Sequence, residues 1–435
     1  MTPRGSSADR PAAAKPRPST GDFVLRGAMV LDQSGGFSGP CDIAVADGIV
    51  VATGRDLAHR SGQEHDFHGL WLMPGMFDCH VHVVATSLDT MELLRTPLSE
   101  RVLEAGSILE RILRAGVTFA RDAGGADAGI KHAVDRGYVE GPRLQVAVTP
   151  ISQTGGHFDG FLAGPGWDCT AGYQFPDLPG RPPVTVDGVE EVRKAVRMRL
   201  RAGADWIKLT TTGGIMSAHG SGTSPELTYD EIATAVHEAG RKDKHVMVHC
   251  FGGQALTDSV LAGVRSIEHG FFLTEADAHL MAARGCWLVP TLSALRDARR
   301  WAEEGRLPPY AAAKIKQLDV QLSESVKIAR EHGVKIALGT DFISREQHGH
   351  NLGEIALAAA AGLTPQEALL AATRSGADLL GVGDRYGRIE PGYVFDAIVL
   401  DEDPSNLEFA RTGSIAGVFK AGSAALVHPR METGG

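Results

Sequence analysis

Between residues 71 and 382, short strand-like apolar runs alternate with longer segments in which apolar residues return every three or four positions. The runs are WLMPGMFDCHVHV (71–83), VTFARDAGG (117–125), RLQVAVTP (143–150), DWIKLTT (205–211), HVMVHC (245–250), RSIEHG (265–270), CWLVPTL (286–292) and KIALGTD (335–341). Eight such runs, each followed by a helical pattern, predict an α/β chain built as a (β/α)8 TIM barrel, with its working residues at the C-terminal strand ends. The flanks read differently. Residues 21–70 hold short strands, FVLRGAMVL and DIAVADGIVVATG, the latter turning at Asp47-Gly48, a strong hairpin signal. Similar runs occupy 386–403 and 414–427. Neither end has enough strands to stand alone, so 21–70 and 383–435 are expected to combine into one small β-sandwich domain beside the 71–382 barrel. The connection 151–186 is long and rich in Gly, Pro and aromatic residues, which predicts a lid or substrate wall. Trp167, Tyr173 and Phe175 would line that wall or pack on the barrel's top.

Charge and composition then narrow the function. Lys and Arg number 43 against 53 Asp and Glu, a formal charge of −10, which argues against a nucleic-acid partner. No apolar stretch is long enough to span a bilayer, so no membrane partner is expected. The first twenty residues, rich in Pro, Ala and Arg and lacking an apolar centre, read as a disordered tail and not a secretory signal, so a cytoplasmic location is expected. The five cysteines, Cys41, Cys79, Cys169, Cys250 and Cys286, form no CxxC pair and read as small buried hydrophobes. Seventeen histidines are about twice the usual share, and their positions matter.

His80 and His82 close the first strand, Lys208 lies late in the fourth, His249 and His269 end the fifth and sixth, and Asp341 ends the eighth. Residues two apart share a strand face, so His80 and His82 can grip one ion while Val81 turns outward. The same rule sends Lys208 inward with Trp206 and Thr210. An ammonium there is costly, and desolvation lowers its pKa. A neutral amine can react with CO2 to give a carbamate, an anionic ligand with two oxygens able to bridge two cations. Two metals so held can keep a hydroxide between them and polarise a carbonyl, with Asp341 on one metal as general base. Singly, each residue has an ordinary structural explanation as a core histidine or an ion-paired charge; their joint placement on one rim is what points to a metal site.

These segments, namely His80-Val81-His82 in MPGMFDCHVHV, Lys208 in GADWIKLTTTGG, His249 in VMVHCFGG, His269 in SIEHG and Asp341 in LGTDF, resemble the binuclear metal-dependent amidohydrolase superfamily. The branch they look most like contains carboxylated-lysine Xaa-Pro dipeptidases, imidazolonepropionase-related hydrolases and ochratoxin-type amidases. The resemblance implies two divalent ions, usually zinc. It puts His80, His82 and Asp341 on the more buried ion, His249 and His269 on the more exposed one, and carboxylated Lys208 between them. QTGGHFDG resembles the branch's TGGHGD loop, which implies that His157 contacts the substrate carbonyl or carboxylate. Phe251 stands where dipeptide-binding relatives often carry a tyrosine, a departure that counts against a dipeptide. The segment after Lys208 lacks an acidic pair common in relatives and carries His219. Relatives are commonly homo-oligomers.

The expected activity is hydrolysis of an amide in a dipeptide or N-acyl amino acid by a metal-bridging hydroxide. Cyclic amides, lactones, carbamates and phosphotriesters would suit the same ions. A mononuclear deaminase would lack Lys208 and carry a glutamate near the fifth-strand histidine, and a catalytically dead scaffold would have lost ligands. Bland readings cover the rest. Asp122 braces the rim or supports a ligand, and Cys79 and Cys250 pack on the far strand faces. His348 and His350 are solvated loop residues. His237-Glu238 fails as a zincin helix because Arg241 stands where the second histidine belongs.

Overall fold

Asp47 and Gly48 both adopt positive φ, 49° and 75°, and close a hairpin between strands β2 (Phe37–Ala46) and β3 (Ile49–Gly54). The computed structural model describes residues 21–428 apart from 59–61, 163, 165, 169–179, 218–221 and 319–321. The expectations for the 1–20 tail, Cys169, Tyr173, Phe175 and His219, and for the Trp167 side chain, lie outside the described residues. In the described part, β1 (Phe23–Leu31) pairs antiparallel with β2 and parallel with β4 (Gln63–Asp66) and β5 (Trp71–Pro74). β5 in turn pairs antiparallel with β16 (Ala397–Leu400), Leu72 opposite Val399, and β17 (Gly417–Lys420) and β18 (Ser423–Leu426) complete one eight-stranded sheet. Strands from both chain ends thus share a sheet. Phe23, Phe395 and Phe419 meet on it at ring separations of 5.2–5.9 Å.

The run 71–83 is divided. Trp71–Pro74 belongs to that end sheet, and after Gly75 the chain enters the parallel strand β6 (Met76–Val81). A Cβ on Gly75 would lie 2.2 Å from the Thr118 hydroxyl, so the crossing is made where the backbone passes a neighbouring strand closely. β6, β7 (Val117–Asp122) and β8 (Arg143–Val146) form one parallel sheet. A two-residue antiparallel pair, β9 (Phe161–Leu162) with β10 (Trp167–Asp168), lies in the long connection. The remaining parallel strands form a second sheet: β11 (Trp206–Thr210), β12 (His245–Gly252), β13 (Ser266–Phe272), β14 (Trp287–Val289) and β15 (Lys335–Ile336).

Backbone hydrogen bonds join the two parallel sheets at both edges. Asp205 N–H donates to Val146 O and Ile151 N–H to Lys208 O at one seam, and Cys79 N–H donates to Leu338 O at the other, each at 2.8 Å. The strand interiors are buried throughout because helices cover them. The helix Leu98–Arg114, for example, turns Ala105, Ile108, Leu109 and Ile112 inward at three- and four-residue spacing. The 151–186 connection is tied at its base. Arg199, fully buried, donates to the carbonyls of Thr149, Pro150 and Pro183 at 2.6–2.8 Å. Cys79, Cys250 and Cys286 are buried thiols, and no helix among the described residues is long and apolar enough to cross a membrane.

Candidate metal centre

β6 ends in His80 and Val81 and places His82 just beyond, and the irregular segment after β15 brings Asp341 across to both histidines. Asp341 Oδ1 lies 3.4 Å from His80 Nε2 and 3.2 Å from His82 Nε2. The close approach needs Gly339, because a Cβ there would sit 2.7–2.8 Å from His80. His269, in the middle of β13, has its Nδ1 4.0 Å from the other Asp341 oxygen. Its ring is 5.3 Å from His80 and 4.5 Å from His249. His269, Thr291 and Asp341 all take positive φ, 77°, 51° and 53°, so the left-handed backbone that costs energy in non-glycine residues gathers within β13 and beyond β14 and β15.

Lys208 projects from β11 into the same group. It is 1% exposed, its Nζ makes no hydrogen bond within the described residues, and burial pulls the ammonium down to about 8 against the opposing charges of Glu268 and Asp341. Four of the imidazoles are driven toward the neutral form in the same way, whereas at His82 burial is outweighed by the hydrogen bond to Asp341 and its charge, which raise it. Burial, aided by Lys208 and by one another, pushes His80 and His249 well below the ordinary value and His157 and His269 to about 3. Asp341 behaves oppositely: burial works to raise it, but His80, the hydrogen bond to His82 and His269 together hold it ionised far below the usual carboxylate range. Neutral imidazole nitrogens and a carboxylate suit a divalent transition ion. The ligand atoms of His80, His82 and Asp341 lie within 4.8 Å of one another, the compactness one ion requires.

Each ring is aimed by a second partner. His80 Nδ1 meets Glu268 at 2.7 Å, His82 Nδ1 meets the Gly124 carbonyl at 2.8 Å, and His269 Nδ1 meets the Thr291 hydroxyl at 2.7 Å. With Nδ1 engaged, Nε2 of His80 and His82 is the atom presented to Asp341. Sequence reading missed Glu268 and Asp78. Glu268 is fully buried and takes both Arg121 Nη2 (2.9 and 3.0 Å) and the Ser266 hydroxyl (2.5 Å). The signal was Arg121 itself, a buried arginine in VTFARD that demands a carboxylate. Asp78 accepts from the Thr340 and His80 amides and from Asn351, fixing the turn into Asp341, and burial pushes its carboxyl up to about 6. Asp122 accepts from the amides of Val83, Gly124 and Ala126 and so braces the rim that carries the His82 acceptor.

His157 stacks on His249 at 4.1 Å, with its Nδ1 2.8 Å from the Ser217 hydroxyl and its own amide donating to Glu226. Phe251 is buried edge-on to His269 and packs on Phe271, 4.6 Å between rings. The structure therefore brings together all seven polar residues singled out from the sequence, together with Phe251. His348 differs from expectation: it is buried against Phe342 instead of solvated, because the loop after Asp341 folds inward, whereas His350 is exposed. Glu238 lies elsewhere, paired with Arg193 and Arg197.

Comparison with known proteins places the chain among relatives. The amidohydrolase family pattern matches residues 71–425. Ochratoxinase from Aspergillus niger is 32% identical over 346 residues, 77% of this chain and 70% of that protein. Among solved structures, a prolidase complexed with N-methylphosphonate-L-proline superposes with a TM-score of 0.85 at 32% identity, covering 93% of this chain and 99% of that one. A Xaa-Pro dipeptidase with methionine bound in its active site gives 0.83 at 28% identity over 93% and 99%.

Proposed function

The chain belongs to the amidohydrolase family, and from that premise we propose that it hydrolyses the amide bond of a small substrate, a dipeptide or an N-acyl amino acid. The observation that carries this reading is the buried Lys208 ammonium, unbonded within the described residues and pulled down to about 8, among the site histidines and one ionised aspartate. We read the eight parallel strands, hydrogen-bonded across both seams, as a (β/α)8 barrel whose polar strand ends form the site.

His80, His82, His249, His269 and Asp341 would hold two divalent ions, for which zinc is the natural choice with this donor set. Lys208 joins them as a carbamate: its neutral amine forms an N–C bond to CO2 and gives up a proton, which replaces a buried cation by an anion with two donor oxygens. When bound, the ions supply Lewis acidity to the scissile carbonyl and a water activated near neutral pH. Asp341, kept ionised by its histidine neighbours, accepts a proton from the attacking water and returns it to the departing nitrogen. His157, held through Nδ1 by Ser217, presents its other ring nitrogen to the substrate carbonyl or carboxylate. Phe251 and Phe271 offer the apolar surface against which a substrate side chain rests.

The test is to load purified protein with zinc, count the metal, and screen dipeptides and N-acyl amino acids beside lactones and carbamates. About two ions per chain with turnover of an amide supports the proposal. A fully loaded protein that turns over only esters, lactones or carbamates, or nothing, overturns it.

A further inference from the structure

A cavity of about 450 Å³ opens between the helix Leu292–Glu303, the loop beyond Asp341 and the short helix Glu408–Thr412. None of the proposed metal ligands lines it, and four arginines do: Arg296, Arg300, Arg306 and Arg411. In a chain of net charge −10 such a gathering of guanidinium groups is unusual, and the carboxylates beside them are largely spent. Asp297, 3% exposed, takes Arg296 at 3.0 Å and the Gln347 amide at 2.8 Å. Glu346 takes Arg306 at 3.0 Å and the Trp301 indole at 3.2 Å, and Glu304 takes Arg306 at 3.3 Å.

Arg300 has Asp297, Glu304 and Glu346 around it as long ion pairs and keeps its N–H donors open. Its nearest carboxylate oxygens are 3.8–4.0 Å away, and it makes no hydrogen bond within the described residues. Arg411 uses only Nη1, on the Asn406 carbonyl at 2.8 Å and Glu408 at 3.3 Å. Two planar forks with open donors, carried by two different helices that line a cavity of small-ligand size, offer the donor chemistry that recognises a tetrahedral oxyanion. We propose that this cavity binds inorganic phosphate or the head of a small phosphate monoester, held between Arg300 and Arg411, at a place separate from the hydrolytic centre.

The experiment is calorimetric titration of the metal-loaded protein with inorganic phosphate in low salt, repeated with Arg300→Gln and Arg411→Gln. Both side chains are about half exposed, so the variants are expected to fold, which a melting curve verifies. Saturable binding that weakens about tenfold or more in each variant, while metal content and amide hydrolysis stay unchanged, supports the proposal. Phenyl phosphate in a parallel titration separates the two sources: tighter binding than phosphate identifies a monoester site, equal or weaker binding a free-phosphate site. Binding that is identical in wild type and both variants places the anion on the metal centre and overturns the proposal, as does the absence of saturable binding up to about 10 mM, the weak end of useful affinity.

Discussion

Arg121 and Lys208 are both buried cations in the strand interior, and the structure treats them differently. Arg121 is fully answered, by Glu268, the Cys79 carbonyl at 2.6 Å and the Ser266 hydroxyl. Lys208 is answered only at a distance. Replacing Lys208 by Ala is therefore expected to abolish metal loading and hydrolysis, with partial rescue by short carboxylates, read by metal analysis and turnover; full activity in that variant would refute the bridging role. Glu268→Ala strands Arg121 without its partner and should cost about 3–5 kcal/mol in urea unfolding, with metal affinity falling about 10–100-fold as His80 loses its aim. Individual side chains were legible where strand alternation held, as for His80, His82 and Lys208. Glu268 was hidden because alternation fails beside it: the φ of 77° at His269 turns two successive side chains toward the same interior, which period-two counting cannot foresee.

Among the elements, the strand runs stood out because most of them are apolar, several are buried on both faces, and turn residues bound them. The boundary at Gly75 did not, since WLMPGMF is apolar throughout and only pairing partners divide it between two sheets. The run 335–341 shortened as well: only Lys335–Ile336 pairs in a ladder, and residues 337–341 are irregular chain tied to β6 by the Cys79–Leu338 and Asp341–His80 backbone bonds. Helix pairing supplies a pH test. Glu238 on the helix Tyr229–Gly240 is held at about 2 by Arg197 and Arg193, below its ordinary 4.5, with burial acting against them. The folded carboxylate is thus favoured over the unfolded one, and that stability is complete above the ordinary value and fades as pH falls toward 2. Glu238→Gln should lower the urea midpoint at pH 7, and the gap from wild type should narrow at about pH 3, between the two values. A gap that widens on acidification would mean the arginines do not stabilise the charge.

For the molecule as a whole, ions that bind only the folded chain add to its stability by mass action. Dialysis against a chelator should lower the thermal midpoint by several degrees, and zinc should restore it. Melting indifferent to both treatments would separate the histidine cluster from metal binding. Strand counting led to the expectation that the two flanks share a domain, because a few strands cannot bury a face alone; that strands of both flanks join one continuous sheet could not be read, since it depends on β5 finding β16. That junction bears on synthesis at the ribosome. β1 to β5 emerge first, yet their partner β16 is translated more than 300 residues after β5. The nascent strands β1 to β5 must wait, with an edge open to chaperones or to misassembly, until β16 has been made.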